Sequence, residues 1–221
     1  ISAFARKSFE RQGMKIITGA KLGALTRAAN SVSARIEAEG KSFEVTAERA
    51  ISAVGIVGNV EDLGLEGTRI KVEKTHVVAD KWLATGEKGV YAIGDLVGPP
   101  WLAHKAMHEG VVCVERIAGV QDAHPLDASQ VPGCTYSRPQ VASIGLTEAK
   151  AKEAGRAVKI GRFPFAGNGK AIALGESEGF IKTVFDAKTG ELLGAHMIGA
   201  EVTELIHGYA IARSLETTEL E

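Results

Sequence analysis

Cysteine is nearly absent from the 221 residues: only Cys113 and Cys134 occur, and their spacing matches neither a CxxC redox pair nor a clustered metal pattern. Cys113 lies in the apolar run Val111-Val112-Cys113-Val114, so a buried reduced thiol is expected, with a Cys113–Cys134 disulfide as the alternative. No apolar run approaches the roughly 18 residues of a membrane span, and residues 1–7 lack the apolar stretch of a secretory leader. The expectation is therefore a cytoplasmic chain without a membrane partner. An excess of one charge is missing too, since 26 Lys and Arg face 27 Asp and Glu. No strong field draws the surface to nucleic acid or anionic lipid. There is no Met at position 1, and residues 216–221 continue as amphipathic chain without a helix-stopping glycine, so both ends are read as cuts.

What is present is a composition, 45% hydrophobic, that supports a real core in one large domain or two modest ones. Apolar positions at Ile1, Phe4, Ala5 and Phe9, with Ser8 among them, predict a helix stopped by Gly13. Residues 14–18, 21–28, 32–38, 42–46 and 49–54 read as a meander of short strands. An irregular stretch, 55–67, and a short strand at Val77 and Val78 follow. The apolar run 90–93 then reads as a buried strand ending at Gly94-Asp95. Residues 103–118 carry a helical stripe of Ala103, Ala106, Met107, Val111, Val114 and Ala118, closed by Gly119. Residues 120–133, with Pro125 and Pro132, read as a linker. Beyond it come strand 141–145, a helix with Thr147 as N-cap and Gly155 as stop, strand 157–165, a glycine-rich turn, strands 180–185 and 191–198 joined by turn 186–190, and helix 201–215. This second unit is α+β on an antiparallel sheet.

A strand ending in Gly-Asp before a loop and a helix N-terminus is a common way for an α/β sheet to present a polar-ligand site. Gly94 lets backbone come close, Asp95 can accept from sugar hydroxyls, and the helix opening near Ala103 aims free N–H groups at an electron-rich group. By itself the dipeptide is equally a turn. Gly167-Asn168-Gly169-Lys170 is a turn and no phosphate loop, because Ala171 stands where Ser or Thr is needed. His196 and His207 read as packed, hydrogen-bonded residues. His104 and His108 stand at i and i+4 without a third ligand, so no metal site is expected.

Around Gly94-Asp95 the sequence becomes more specific. Thr85 with Ala92-Ile93-Gly94-Asp95 resembles the second FAD fingerprint of two-dinucleotide-domain flavoproteins. Residues 98–106, Gly-Pro-Pro-Trp-Leu-Ala-His-Lys-Ala, followed by Glu109-Gly110, resemble the flavin-facing segment of dihydrolipoamide dehydrogenases within the pyridine nucleotide-disulfide oxidoreductase family. Val54-Gly55 with 63–66 resembles the end of that family's NAD-binding domain, although Ile56-Val57-Gly58-Asn59 stands where Arg-x-Pro-Asn is usual. Residues 135–145, 163–166 and 193–199 resemble its dimer-interface domain.

The resemblance implies α/β plus α+β architecture. Residues 1–56 would be the C-terminal part of an NAD-binding domain, 57–127 that of a FAD-binding domain, and 128–221 a dimerisation domain. It implies FAD and NAD as cofactors, with Gly94, Asp95, Trp101, Leu102, Ala103 and His104 toward FAD and Gly55 toward the nicotinamide nucleotide. It implies a homodimer and a lipoyl-bearing subunit of 2-oxo-acid dehydrogenase complexes as partners, in oxidation of protein-bound dihydrolipoamide. No catalytic residue is expected here: the family's CxxxxC pair would precede Ile1, and its base histidine and glutamate would follow Glu221. The chain alone is therefore expected to be inactive and to bind FAD weakly or not at all. The alternatives are a mercuric or glutathione reductase-like sister enzyme and a non-catalytic dimerisation module.

Overall fold

The helical spacing at the start of the chain becomes α1 (Ser2–Arg11), with Ser8 as its buried residue. The computed structural model describes all 221 residues and divides them into two units, Ser2–Ile56 and Val57–Glu221, with Ile1 grouped with the second. In the first unit α1 precedes an antiparallel meander of β1 (Lys21–Arg27), β2 (Val32–Ala38) and β3 (Lys41–Ala47). Its register places Ser33 beside Thr46, with hydroxyls 2.7 Å apart. The flanking runs 14–18 and 49–54, expected as strands, are not strands. Their apolar residues fit a pleat, but a strand also needs a neighbour for its N–H and C=O groups, and neither run pairs with one.

The second unit begins with a two-stranded ladder, β4 (Val72–Glu73) with β5 (His76–Val77). After it come a 3₁₀ turn at Gly94–Val97, α2 (Ala103–Ala118) and a 3₁₀ turn at Ala128–Gln130. Gly119, left-handed at φ 75°, closes α2 with its own N–H and that of Val120 bonded back to the last turn. The expected buried face of α2 is not the observed one: Met107, Val111 and Val114 of that stripe are exposed, while Lys105, Glu109 and Cys113 are buried. Both cysteines are free thiols, with Cys113 buried as expected.

A five-stranded antiparallel sheet follows, in the order β6 (Gly133–Thr135), β7 (Gln140–Gly145), β10 (Leu192–Gly199), β9 (Gly179–Asp186), β8 (Val158–Pro164). Between strands lie α3 (Glu148–Glu153) and α4 (Gly169–Ala173), and α5 (Val202–Ser214) comes after β10. The glycine-rich turn thus continues into a short helix, because the Asn168 side chain accepts the Ala171 N–H at 3.0 Å and starts one. Thr147 caps α3 as expected, accepting from Lys150 N–H at 3.2 Å.

The near-continuous apolar run of β10 places it at the centre, buried along its whole length. Ala195 and Met197 join Ala142 and Ile144 of β7, Phe165, and Val202 and Ile206 of α5 in one core cluster. His196 is 8% exposed, with Nε2 donating to the Leu146 carbonyl at 3.0 Å, and burial lowers its pKa. His207, expected to be packed likewise, is exposed: its place on α5 is one residue beyond Ile206, which takes the buried position.

Two carboxylates brace the sheet at β9. Asp186 accepts N–H groups from Lys188 and Thr189 at 2.8 and 3.0 Å, closing the β9–β10 turn, and meets Arg156 Nε at 2.6 Å. The Thr189 N–H, then the Arg156 guanidinium, hold its pKa down to about 2. Glu148 of α3 bonds Lys152 and, across to β9, Lys182, which hold it at about 2 as well. Both carboxyls ionise more readily folded than unfolded. Their contribution is thus complete above the ordinary carboxylate range, about pH 4, and is lost as pH falls toward about 2. The urea midpoint is expected to drop steeply through that window, and Asp186→Asn to lower it near pH 7 while flattening the slope. An unchanged slope in Asp186→Asn would remove this carboxylate from the account.

Candidate functional site

The segment leading to Gly94 is not the expected buried strand. Scattered bonds hold it: Ala92 N–H to Leu83 O at 3.0 Å, Thr85 N–H and Oγ1 to Val90 O, Val90 N–H to Glu87 O at 3.2 Å, and a bridge between Ala84 and Tyr91. Val90, Tyr91 and Ile93 are exposed, whereas Ala92 and Gly94 are buried. With no sheet beside it, the run has nothing to cover its alternate side chains.

What fixes Gly94 is an ion pair inside α2. Lys105 Nζ and Glu109 Oε1 lie 2.9 Å apart, with side chains only 5% and 8% exposed. Glu109 Oε2 accepts the Gly94 N–H at 2.7 Å. Lys105 Nζ donates to the Gly94 carbonyl at 3.2 Å and to the Gly98 carbonyl at 3.0 Å. Each buried charge thereby has its counter-ion and a backbone partner, the condition under which burial of charge is tolerable. Gly94 is in the left-handed region at φ 74°, and a Cβ there would stand 3.2 Å from the Ala106 Cβ. Bare backbone is thus what lets the 3₁₀ turn lie on the helix.

Gly55 apart, the expected residues lie along the two segments that the pin joins, 94–98 and the start of α2. Asp95, next to Gly94, is exposed at the start of the 3₁₀ turn. Leu102 is the N-cap of α2 and offers no side-chain acceptor, so the first N–H groups of the helix stay uncapped beside Ala103, which is exposed. His104 Nε2 donates to the Pro132 carbonyl at 2.9 Å, tying α2 to the segment before β6. Trp101, 40% exposed, donates its indole N–H to His76 Nε2 at 3.2 Å. Gly55 belongs to the first unit, where it is exposed at φ 123°.

No group of three or more His, Cys, Asp or Glu side chains is placed to hold a metal. His104 and His108 instead line a cavity of about 570 Å³, with Cys134, Thr203, Ile206 and His207.

Sequence reasoning missed two parts of this arrangement. Lys105 and Glu109 stand in the recognised motif at the i, i+4 spacing of a helical ion pair, which is a signal, but the apolar stripe beside them drew the inside of the helix to the wrong face. His76 lies 25 residues from Trp101, and nothing local in the sequence announces the contact.

Removing one member of a buried pair strands the other, at a cost of about 3–5 kcal/mol. Lys105→Met or Glu109→Met is expected to lose about that much in denaturant unfolding, and the double variant much less than the sum. Additive single losses would show that the two charges do not act as a unit.

Residues 1–110 match the family described as pyridine nucleotide-disulphide oxidoreductase, and residues 131–220 match that family's dimerisation domain. Among curated proteins, the chain is 60% identical to a dihydrolipoyl dehydrogenase of Rhizobium etli, 52% to one of Zymomonas mobilis and 42% to one of Bacillus subtilis, in each case over 100% of the chain. It covers 46%, 48% and 47% of these relatives, so it spans about half their length. Of solved structures, LpdA from Mycobacterium tuberculosis superposes with a TM-score of 0.86 at 25% identity, over 97% of this chain and 46% of that one. The HOCl-induced flavoprotein disulfide reductase RclA of Escherichia coli has the same fold, at a TM-score of 0.85 and 21% identity, over 99% of this chain and 49% of that one. With both of the family's patterns running through it in order and relatives matching it from end to end, this chain belongs to the pyridine nucleotide-disulphide oxidoreductase family.

Proposed function

We propose that the chain is part of a dihydrolipoyl dehydrogenase, a cytoplasmic homodimer that oxidises protein-bound dihydrolipoamide with FAD and NAD in 2-oxo-acid dehydrogenase complexes. Residues 1–56 would complete an NAD-binding domain, 57–127 a FAD-binding domain, and 128–221 would pair the subunits about a two-fold axis. The observation that carries the reading is the turn at Gly94 and Asp95, held on the open N-terminus of α2 by the buried Lys105–Glu109 pair.

The residues present fit a flavin. Gly94 offers bare backbone against α2, and Asp95 presents an exposed carboxylate. The start of α2 offers N–H groups that no side chain caps. In this reading FAD, when bound, supplies the two-electron chemistry between dithiol and nicotinamide. The chain's own groups bind and orient. Asp95 accepts hydrogen bonds from ribityl hydroxyls, and the helix terminus favours electron density on the isoalloxazine edge. Trp101, Leu102, Ala103 and His104 flank that edge and shield it from water, with Gly55 assigned to the nicotinamide nucleotide. A mercuric or glutathione reductase-like sister would use the same turn and helix, so the substrate test decides between them.

A chain extended to the length of its relatives is expected to be yellow, to elute as a dimer and to reduce NAD with dihydrolipoamide. Asp95→Ala is expected to lower its flavin content by about tenfold, the scale of one lost hydrogen bond to a charged group. A colourless protein, or a yellow one active on glutathione disulfide or mercuric ion and not on lipoamide, would overturn the assignment. For the 221-residue chain alone, stoichiometric FAD would count against its being only a dimerisation module.

A further inference from the structure

His76 sits where two hydrogen bonds make opposite demands on one imidazole. Its Nδ1 lies 2.9 Å from the Lys74 carbonyl, which can only accept, and at the longer distance of 3.5 Å from the Thr75 hydroxyl, which can take either role, so the shorter contact puts the proton on Nδ1. Its Nε2 lies 3.2 Å from the Trp101 indole N–H, which can only donate, so Nε2 supplies a lone pair. The two demands select the same species, the neutral Nδ1–H tautomer. The rings are 5.9 Å apart between centroids and inclined by 25°. The imidazole also faces Gly98, whose position leaves about 4.0 Å to the ring from where a Cβ would be. His76 thus braces the outer side of the 98–101 segment, whose inner side Lys105 holds through the Gly98 carbonyl.

We infer that His76 is a pH-sensitive positioning residue for Trp101, holding the indole in place when neutral and releasing it when protonated. An imidazolium has donors at both nitrogens, so protonation turns the Nε2 acceptor into a second N–H pointing at the indole N–H. The bond to Lys74 O survives that change and the bond to Trp101 does not. The charged groups on the elements packed around the ring are Glu73, opposite His76 in the β4–β5 ladder, Lys74 in the turn, Asp95 on the 3₁₀ turn, the buried Lys105 and Glu109 behind Gly98, and Glu61 and Asp62 on the stretch after Gly58, whose backbone packs on Thr75 and His76. Lys74 reaches the imidazole through its carbonyl, and Lys105 and Glu109 are already matched to each other and to backbone. That acidification would loosen the edge of the flavin site rests on the function proposed above. The His76–Trp101 bond itself does not.

The test reads the indole directly. In a Trp82→Phe background Trp101 is the remaining tryptophan. Its emission is expected to change in one step on acidification, as the Nε2 lone pair is lost to a proton. Adding His76→Gln, whose amide oxygen accepts without titrating, is expected to abolish the step. A flat titration with His76 present, or a step that persists in His76→Gln, would overturn the inference. Imidazole ¹⁵N shifts of the unsubstituted protein at neutral pH give a second reading: the Nδ1–H tautomer is expected, and Nε2–H would overturn it. A colourless protein whose Trp101 emission still changes with pH would sink the flavin reading and leave this inference standing, and a yellow protein with a flat Trp101 response would do the reverse.

Discussion

One buried ion pair organises the part of the molecule that carries the candidate site. Lys105 and Glu109 lie on a helix face that also carries a buried cysteine, and the two charges reach out of the helix to both ends of the 94–98 segment. The extended run before Gly94 has only scattered bonds to hold it, so its end would be poorly placed without the helix. The position of Asp95 and the uncapped start of α2 both follow from this constraint. A surface ion pair at the same spacing would contribute little and be weakened by salt. Burial makes this one costly to break.

Much of the second unit was legible because its signals are local. Thr147 before α3, Gly155 after it, the Asp186 to Gly190 turn and the continuous apolar run of β10 each determine structure within a few residues. The same logic failed where a partner at a distance decides. Residues 14–18 and 49–54 have strand composition without a neighbour, and 90–93 ends at the right glycine without being a sheet strand. In α2 the hydrophobic stripe pointed to the wrong buried face, since a periodicity argument counts Lys and Glu as solvent-facing and cannot see that they satisfy each other and the backbone. The site motif was readable as a motif, because Gly94, Asp95 and residues 98–106 are contiguous or nearly so. Its support from His76 was not, because that contact is made by folding.

Three histidines serve backbone carbonyls: His76 at Lys74, His104 at Pro132 and His196 at Leu146. The contacts are alike, but the surroundings differ. His196 is enclosed in β10, where burial disfavours its charged form. His104 joins α2 to the stretch before the sheet. Only His76 has its second nitrogen engaged by a donor, which is why protonation there is a change of partner as well as of charge.

The Gly94 amide has a further consequence. A backbone N–H given to a carboxylate that is 8% exposed can exchange its proton with solvent only when the turn lifts from the helix. Its hydrogen-exchange rate therefore measures the free energy of that local opening, separately from global unfolding. Because Lys105 bonds the carbonyls of both Gly94 and Gly98, lifting either end weakens the hold on the other, and the segment should open as one cooperative unit, not fray from its tip.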